Sequence, residues 1–531
     1  MLFAYILVKL SVLVCRIFRN FKTKGNFMDE FGFLSLIPPI IAIFMVLLTR
    51  SVIISLFIGL FSGILLLNNF HIIQSLKVLI KDFIYITMSD DGNIGVLVLL
   101  IFIGGFVALL EISGGGKAFA NKVVGNVKSR IKIQLFAWIS GVAIFFSEMG
   151  TPLIVGPIYE KLFDKARISR EKLAWIIDST SSPVSVMIPF IGWGVYIMGL
   201  IESQFNSLNI KMSSWDAFIE ALPYFIYPIL AVLIVPLIVI LKLDFGPMKK
   251  AEERSINTGE IYWPESKPLR ESILEDDEVS KNSSPIMIWL PILVLIVSLI
   301  SLLAPKGFPF QSVEGIDFRI ALTLSYFFAS ITLVVLLVIY KIRKLGEAIA
   351  SYTTGMKKMT DILIILILSW SLGLLLDKLG TANYIVEIIN GNIPIAIVPG
   401  LIFVVGAGMS FANGTSWGTF AIMLPLAMPL AFQLDIPMAV CIGAVISGGI
   451  FGDHCSPISD TTILSSTGAG CDHKDHNKTQ IPIALFNGII TFATLLVTSL
   501  INFKFSILFA IVFMVLGVFL FNKMKLKTSS N

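Results

Sequence analysis

Apolar runs about as long as a membrane-spanning helix recur along this chain, and they constrain its fold more than any other feature. A helix needs about 20 mostly apolar residues to cross the hydrocarbon core of a bilayer. The runs that meet or approach this length are 34–49, 51–69, 94–112, 222–243, 286–304, 319–340, 361–379, 395–411, 417–432, 481–501 and 505–522. Only 14% of the 531 residues are charged, and the mean hydropathy is +0.88. The sequence therefore predicts an all-α polytopic membrane protein.

Four further apolar segments are short or carry polar interruptions, namely 132–147, 149–163, 173–200 and 439–467. Segment 244–285 differs from all of these because it is polar and rich in both charge signs. That composition predicts a cytosolic linker with little ordered structure between two halves of the chain.

Short motifs of the first half return in the second half in the same order. Leu109-Leu110-Glu111 recurs as Leu375-Leu376-Asp377, Gly150-Thr151 as Gly414-Thr415, and Ser182-Pro183-Val184-Ser185 as Ser456-Pro457-Ile458-Ser459. The apolar runs follow the same order around these motifs. We therefore expect a duplicated structural unit.

The basic residues indicate how the two units are oriented. Loop 117–132 holds five of them against one in its counterpart 378–393, and loop 159–172 holds five against none. In the opposite sense, 341–358 holds five against two in 71–88. Short loops rich in Lys and Arg stay in the cytosol. The sequence thus predicts two inverted-topology repeats with interrupted transmembrane helices, an architecture typical of secondary transporters with a site near the bilayer midplane.

These patterns divide the chain into five predicted regions. An N-terminal extension, 1–27, either lies in the membrane interface or precedes the true start of translation. The other regions are repeat 1 with a connecting helix (28–243), the cytosolic linker (244–285), repeat 2 (286–480), and C-terminal transmembrane helices with a short basic tail in the cytoplasm (481–531).

Four carboxylates lie within or beside the apolar spans: Glu148, Asp178, Asp453 and Asp460. Segments 173–200 and 439–467, which hold the three aspartates, carry no Lys or Arg to neutralise them. A carboxylate without a basic partner in a low dielectric either takes up a proton or binds a metal cation. These residues therefore predict a site at which protons and cations compete.

The densest polar segment surrounds Pro457, which interrupts the helix because it lacks an N–H and clashes with the preceding turn. The break exposes carbonyl oxygens, and the hydroxyls of Ser456 and Thr461 add further hard ligands. Oxygen ligation suits Na⁺, for which Asp453 and Asp460 are the candidate metal ligands. Unwinding either brings both acids to one ion or leaves one of them as the proton carrier.

Other segments supply the remaining candidates. In the first half, Ser182 and the helix-breaking Pro183 follow Asp178; polar turns contain Gly150 and, in the second half, Asn413, Gly414 and Thr415. His454 beside Asp453 is either a proton relay or a hydrogen-bond partner. Trp193 and Trp417 lie near the breaks, and the sequence does not distinguish packing from gating. A metal role for Cys471, His473 and His476 is not favoured.

The segment from Gly452 to Asn477 resembles the signature of the NhaC-type sodium/proton antiporter family. Segments 147–152 and 178–183 also resemble motifs of that family, and the similarity extends over roughly 34–500. The resemblance implies a multi-pass antiporter of the bacterial inner membrane, driven by the proton gradient and active in pH homeostasis. It implies no cofactor. The family also includes exchangers of malate and lactate.

The leading functional prediction is therefore Na⁺/H⁺ exchange rather than enzymatic catalysis. An organic-acid exchanger is the closest alternative: Asn413, Thr415 and Ser416 suit an anion, but the core offers no intramembrane arginine. An intramembrane hydrolase would leave the inverted repeats without a role, and a primary pump would need a nucleotide motif. The scattered basic clusters do not predict nucleic-acid binding. Whether Li⁺ is also carried, and whether the chain forms a homodimer in the lipid bilayer, stays open.

Overall fold

A computed structural model describes residues 31–124, 129–268, 282–389, 392–501 and 506–528. The predicted extension 1–27 lies outside these ranges. Every regular element among the described residues is a helix, which confirms the all-α prediction. Among them, eight helices are long and apolar enough to cross a membrane, or up to ten if each of two bent pairs forms one span.

The described residues of the first half form thirteen helices. They are α1 (Gly32–Thr49), α2 (Val52–Leu67), α3 (Ile72–Met88), α4 (Asp91–Ile112), α5 (Gly115–Val124), α6 (Arg130–Ala143), α7 (Gly150–Lys165), α8 (Arg170–Ser179), α9 (Ser182–Ser185), α10 (Gly192–Leu208), α11 (Ser214–Tyr224), α12 (Ile226–Leu241) and α13 (Gly246–Asn257).

The second half contains the remaining helices. They are α14 (Ile286–Lys306), α15 (Gly315–Ile339), α16 (Leu345–Lys358), α17 (Thr360–Lys378), α18 (Thr381–Ile389), α19 (Ile395–Asn413), α20 (Ser416–Gln433), α21 (Met438–Cys455), α22 (Asp460–Ala469), α23 (His473–Ile501) and α24 (Ser506–Thr528).

The order of elements is similar in the two halves. A helical hairpin, α6–α7 or α19–α20, precedes an interrupted helix, α8–α9–α10 or α21–α22. Pro183 lies at the start of the short helix α9, and Pro457 lies in the gap between α21 and α22. This order is consistent with the predicted repeat, whose inversion stays a prediction.

The first hairpin packs against the broken helix of the second half through glycines. A Cβ atom placed on Gly156 of α7 would lie 2.2 Å from the main chain of Gly468 in α22. Only a residue without a side chain permits this approach, because real Cβ atoms do not come so close to another backbone. The two glycines thus bring the polar segments of the two halves together.

The linker prediction is wrong for residues 246–268, which are ordered. Helix α13 buries the side chains of Glu252 and Arg254, and Arg254 donates to both Glu171 oxygens of α8 at 2.8 and 3.0 Å. Further along, the main-chain N–H of Lys267 donates to Asp472 at 2.5 Å. The charged residues that predict a solvated linker instead form buried ion pairs. The rest of the linker, 269–281, lies outside the described residues.

Two other predicted boundaries also need correction. Segment 341–358, interpreted as a loop, contains α16, whose Tyr352 and Gly355 pack closely on Gly105 and Gly104 of α4. The predicted end of repeat 2 at residue 480 falls inside α23. In both places polar residues occur within a helix that packs against neighbours, and the hydropathy of one segment does not reveal such packing.

Candidate functional site

The tip of the first hairpin contacts the first helix break. Ser185 Oγ donates to the carbonyl of Phe145 at 3.0 Å, and Ser182 Oγ donates to Glu148 Oε2 at 3.2 Å. Gly150 begins α7 directly after this tip, and its N–H donates to Ser147 Oγ at 2.9 Å. The hairpin and the break therefore present Glu148 and Ser182 together.

The tip of the second hairpin contacts the second break in the same manner. Ser456 Oγ donates to the carbonyl of Phe411 at 2.7 Å. Gly414 has a φ of +72°, and a Cβ there would lie 2.5 Å from the carbonyl oxygen of Ile458. Both the left-handed backbone and the close approach require glycine. Each half thus positions its break with the tip of its own hairpin.

Asp178 is a fully buried carboxylate surrounded by side chains of the second half. It accepts hydrogen bonds from Thr462 Oγ1 at 3.1 Å, Ser465 Oγ at 3.3 Å and Gln480 Nε2 at 2.5 Å. His476 Nε2 lies 3.8 Å from one of its oxygens. The first break therefore places the Asp178 carboxylate against α22 and α23.

His454 lies at the same junction but contacts the main chain of Asp178. Its Nε2 is 3.0 Å from the carbonyl oxygen of Asp178, and Tyr227 Oη is 3.1 Å from Nδ1. A carbonyl only accepts, so Nε2 is the donor in that contact. Both ring nitrogens are engaged, and the choice between a proton relay and a hydrogen-bond partner stays a prediction.

Asp453 is buried in the last turn of α21 and accepts from Thr461 Oγ1 at 3.4 Å. Asp178 and Glu148 lie within electrostatic range of it. Asp460, by contrast, is exposed in the first turn of α22. The two predicted Na⁺ ligands thus lie in different environments, and their sharing of one ion stays a prediction.

Asn413, at the end of α19, has an unused donor. Its Oδ1 accepts from the main-chain N–H of Thr415 at 2.7 Å, which fixes the orientation of the amide. The Nδ2 atom is buried and has no hydrogen-bond partner in the described structure. A group that accepts hydrogen bonds would satisfy this donor.

Ser465 and Gln480 are not predicted from the sequence; Thr462 belongs to the hydroxyl-rich segment around Pro457, and His476 is considered there only as a disfavoured metal ligand. Thr462 and Ser465 are three residues apart on α22, and His476 and Gln480 are four apart on α23, so each pair shares a helix face. Such polar pairs at helical spacing are the available signal in the sequence. His476 is bonded to Gln480 Oε1 at 3.0 Å and to Ser466 Oγ at 2.9 Å.

Apolar spans, interrupted helices and buried carboxylates together define a polytopic membrane transporter rather than an enzyme. The sequence profile of the Na⁺/H⁺ antiporter family matches residues 184–500. The chain therefore belongs to the Na⁺/H⁺ antiporter family, as its motifs predict.

Relatives of known sequence support this assignment. An uncharacterised protein of Haemophilus influenzae is 32% identical over 466 residues, which is 85% of this chain and 88% of the relative. An uncharacterised Na⁺/H⁺ antiporter of the same organism is 38% identical over 98 residues, 18% of this chain and 21% of that protein. The malate-2H⁺/Na⁺-lactate antiporter of Bacillus subtilis is 36% identical over 83 residues, 16% of this chain and 18% of that protein.

Two solved transporters share the fold. The YdaH transporter of Alcanivorax borkumensis superposes with a TM-score of 0.52 at 14% identity, over 81% of this chain and 90% of its own. The Neisseria gonorrhoeae efflux pump MtrF gives a TM-score of 0.53 at 11% identity, over 80% of this chain and 84% of its own. At these identities the likeness establishes the fold alone.

Proposed function

We propose that the protein exchanges Na⁺ for H⁺ across the bacterial cell membrane, driven by the proton gradient, and that both ions compete for the buried carboxylates. Asp178, Asp453 and Glu148 are the competing groups, and Asp453 with Asp460 is the proposed Na⁺ ligand pair. Thr461 adds a hydroxyl oxygen beside Asp453, and Ser456, whose Oγ donates to the carbonyl of Phe411, is the second proposed hydroxyl ligand.

The observation that carries this proposal is the chemistry around Asp178. Its hydrogen-bond donors are two hydroxyls and an amide, and the described ion pairs give it no Lys or Arg. Neutral donors orient a carboxylate but leave its charge uncompensated. A buried charge of this kind is costly unless a cation or a proton neutralises it. A carboxylate that can take either is what an antiporter needs.

The test is a pH-dye assay in inside-out vesicles that hold a respiration-driven pH gradient. Addition of Na⁺ should collapse part of the gradient, whereas malate and lactate without Na⁺ should not. Li⁺ and K⁺ are added in parallel to rank the cations. Asp377→Asn provides the control, because Asp377 is an exposed acid bonded to Ser207 at the end of α17. A pH gradient that stays constant when Na⁺ is added but collapses when malate is added would contradict the proposal.

A second candidate function, exchange of an organic acid, is favoured by one observation. The buried Nδ2 of Asn413 lacks an acceptor, and a substrate carboxylate would supply one. The short match to the malate-2H⁺/Na⁺-lactate antiporter also supports this alternative. In the vesicle assay, Asn413→Ala would then abolish a malate or lactate response and leave a response to Na⁺ alone.

A further inference from the structure

The Glu148 carboxylate carries one neutral donor on each of its oxygens. Ser182 Oγ donates to Oε2 at 3.2 Å, and Trp417 Nε1 donates to Oε1 at 3.0 Å. The serine belongs to the first half, but Trp417 reaches across from α20 of the second half. Indole and hydroxyl donors stabilise an ionised carboxylate without cancelling the charge that a cation requires.

The Trp417 indole is itself held in place by α10 of the first half. Its ring lies 4.3 Å from the ring of Trp193 and 4.6 Å from that of Tyr196, measured between centroids. Tyr196 Oη also donates to the carbonyl of Trp417 at 2.8 Å. Both α10 side chains are buried. Two aromatic contacts and one hydrogen bond therefore fix the direction of a single N–H.

We propose that Trp417 is a positioning residue: its indole N–H holds the Glu148 carboxylate in the orientation that binds the transported cation. The inference rests on the proposed Na⁺/H⁺ exchange and assigns part of the Na⁺ affinity to a residue of the opposite half. The indole ring packs against Trp193 and Tyr196, and its N–H orients the Glu148 carboxylate. Replacing the indole by a phenyl ring keeps the packing and removes the N–H, so the substitution separates the two roles.

The test measures the apparent Na⁺ constant and the maximal exchange rate of Trp417→Phe in proteoliposomes. Removing a hydrogen bond to a charged group should raise the apparent constant about tenfold. The maximal rate should change much less, because phenylalanine keeps the aromatic packing. A residue with only a packing role would instead reduce the amount of folded protein and leave the constant unchanged.

Trp370→Phe is the matched control. Trp370 is also buried and also donates through Nε1, at 3.1 Å, but its acceptor is the carbonyl of Gly199. Its apparent Na⁺ constant should equal that of the wild type. The inference is overturned if Trp417→Phe keeps the wild-type constant, or if Trp370→Phe raises it equally.

Ser182→Ala keeps the inference testable if Trp417→Phe does not accumulate. It removes the other donor to Glu148 and should raise the apparent Na⁺ constant in the same direction, whereas an unchanged constant would overturn the inference. A wild-type protein without any Na⁺ response would overturn the proposed function instead, so the two failures are distinguishable.

Discussion

The side-chain amide of Gln480 donates a 2.5 Å hydrogen bond to the carboxylate of Asp178, which lies 302 residues earlier in the chain. The same amide nitrogen donates to the carbonyl of His454 at 2.8 Å, and its oxygen is 3.0 Å from His476 Nε2. One side chain of α23 therefore links the broken helices of the two halves at their most buried acid.

Replacement of Gln480 by alanine should reduce exchange strongly, because Asp178 would lose its closest donor. A hydrogen bond to a charged group contributes about 1.5–3 kcal/mol, so a loss of at least tenfold in the exchange rate at subsaturating Na⁺ is expected. Gln433→Ala is the control, since Gln433 is exposed and bonds to Asn383. Wild-type exchange in Gln480→Ala would show that this amide is dispensable.

The carboxylates can be ranked by the substitutions Asp178→Asn, Asp453→Asn and Asp460→Asn. The first two remove buried charges and should abolish exchange while the protein inserts normally, measured by the pH dye and by the amount of membrane-bound protein. Asp460→Asn should do the same if Asp460 shares the ion with Asp453. Retained exchange in Asp460→Asn would assign the cation to the buried acids alone.

Local features of the sequence were sufficient to predict the long apolar spans and the breaks. Apolar runs predict the spans because a bilayer demands their length, and Pro457 marks the gap between α21 and α22 because of its backbone. Acids such as Asp178 and Asp453 are conspicuous because they are costly in an apolar segment. Each of these signals is contained in a few neighbouring residues.

Features that depend on distant partners could not be predicted in this way. Gln480 and His476 are ordinary polar residues until α23 packs beside α8. Arg254 and Glu171 look solvated in sequence, yet each buries its charge against the other. Whether Asp460 is buried or exposed depends on which face of α22 meets the hairpins.

The ion pair between Arg254 and Glu171 should stabilise the fold. Their exposed side-chain fractions are 4% and 2%, so Glu171→Gln leaves a buried guanidinium without its counter-charge. Breaking one partner of a buried pair costs about 3–5 kcal/mol, and the thermal midpoint of the detergent-solubilised protein should fall.

Lys249→Gln is the matched control for that pair. It breaks the pair between Lys249 and Glu253, whose side chains are 42% and 53% exposed, and the thermal midpoint should stay nearly constant. Equal effects of the two substitutions would mean that the buried pair adds nothing beyond a surface pair.

The membrane topology can be tested with single cysteines in a background that lacks the native thiols. The basic residues predict that 117–130, 159–172, 244–285, 341–358 and 468–480 face the cytosol. Lys165 and Ala350 are exposed positions in two of these segments, and cysteines there should resist an impermeant thiol reagent added outside intact cells. A cysteine at the exposed Lys211, after α10, should react. External labelling at both 165 and 350 would contradict the inverted-repeat assignment.

Competition between Na⁺ and H⁺ for one carboxylate cluster predicts a specific pH dependence of the apparent Na⁺ constant. Na⁺ binds only the deprotonated form, because protonation removes the charge and occupies the oxygen. Below the pKa of the site, apparent affinity should therefore fall about tenfold per pH unit for each proton displaced, and above that pKa it should reach a plateau. Measured at saturating Na⁺, the maximal rate should change less than the affinity does.

The experiment is a titration of Na⁺ in proteoliposomes at a series of pH values from acid to alkaline. An apparent constant independent of pH, with only the maximal rate changing, would place the proton on a separate regulatory group and exclude the shared site.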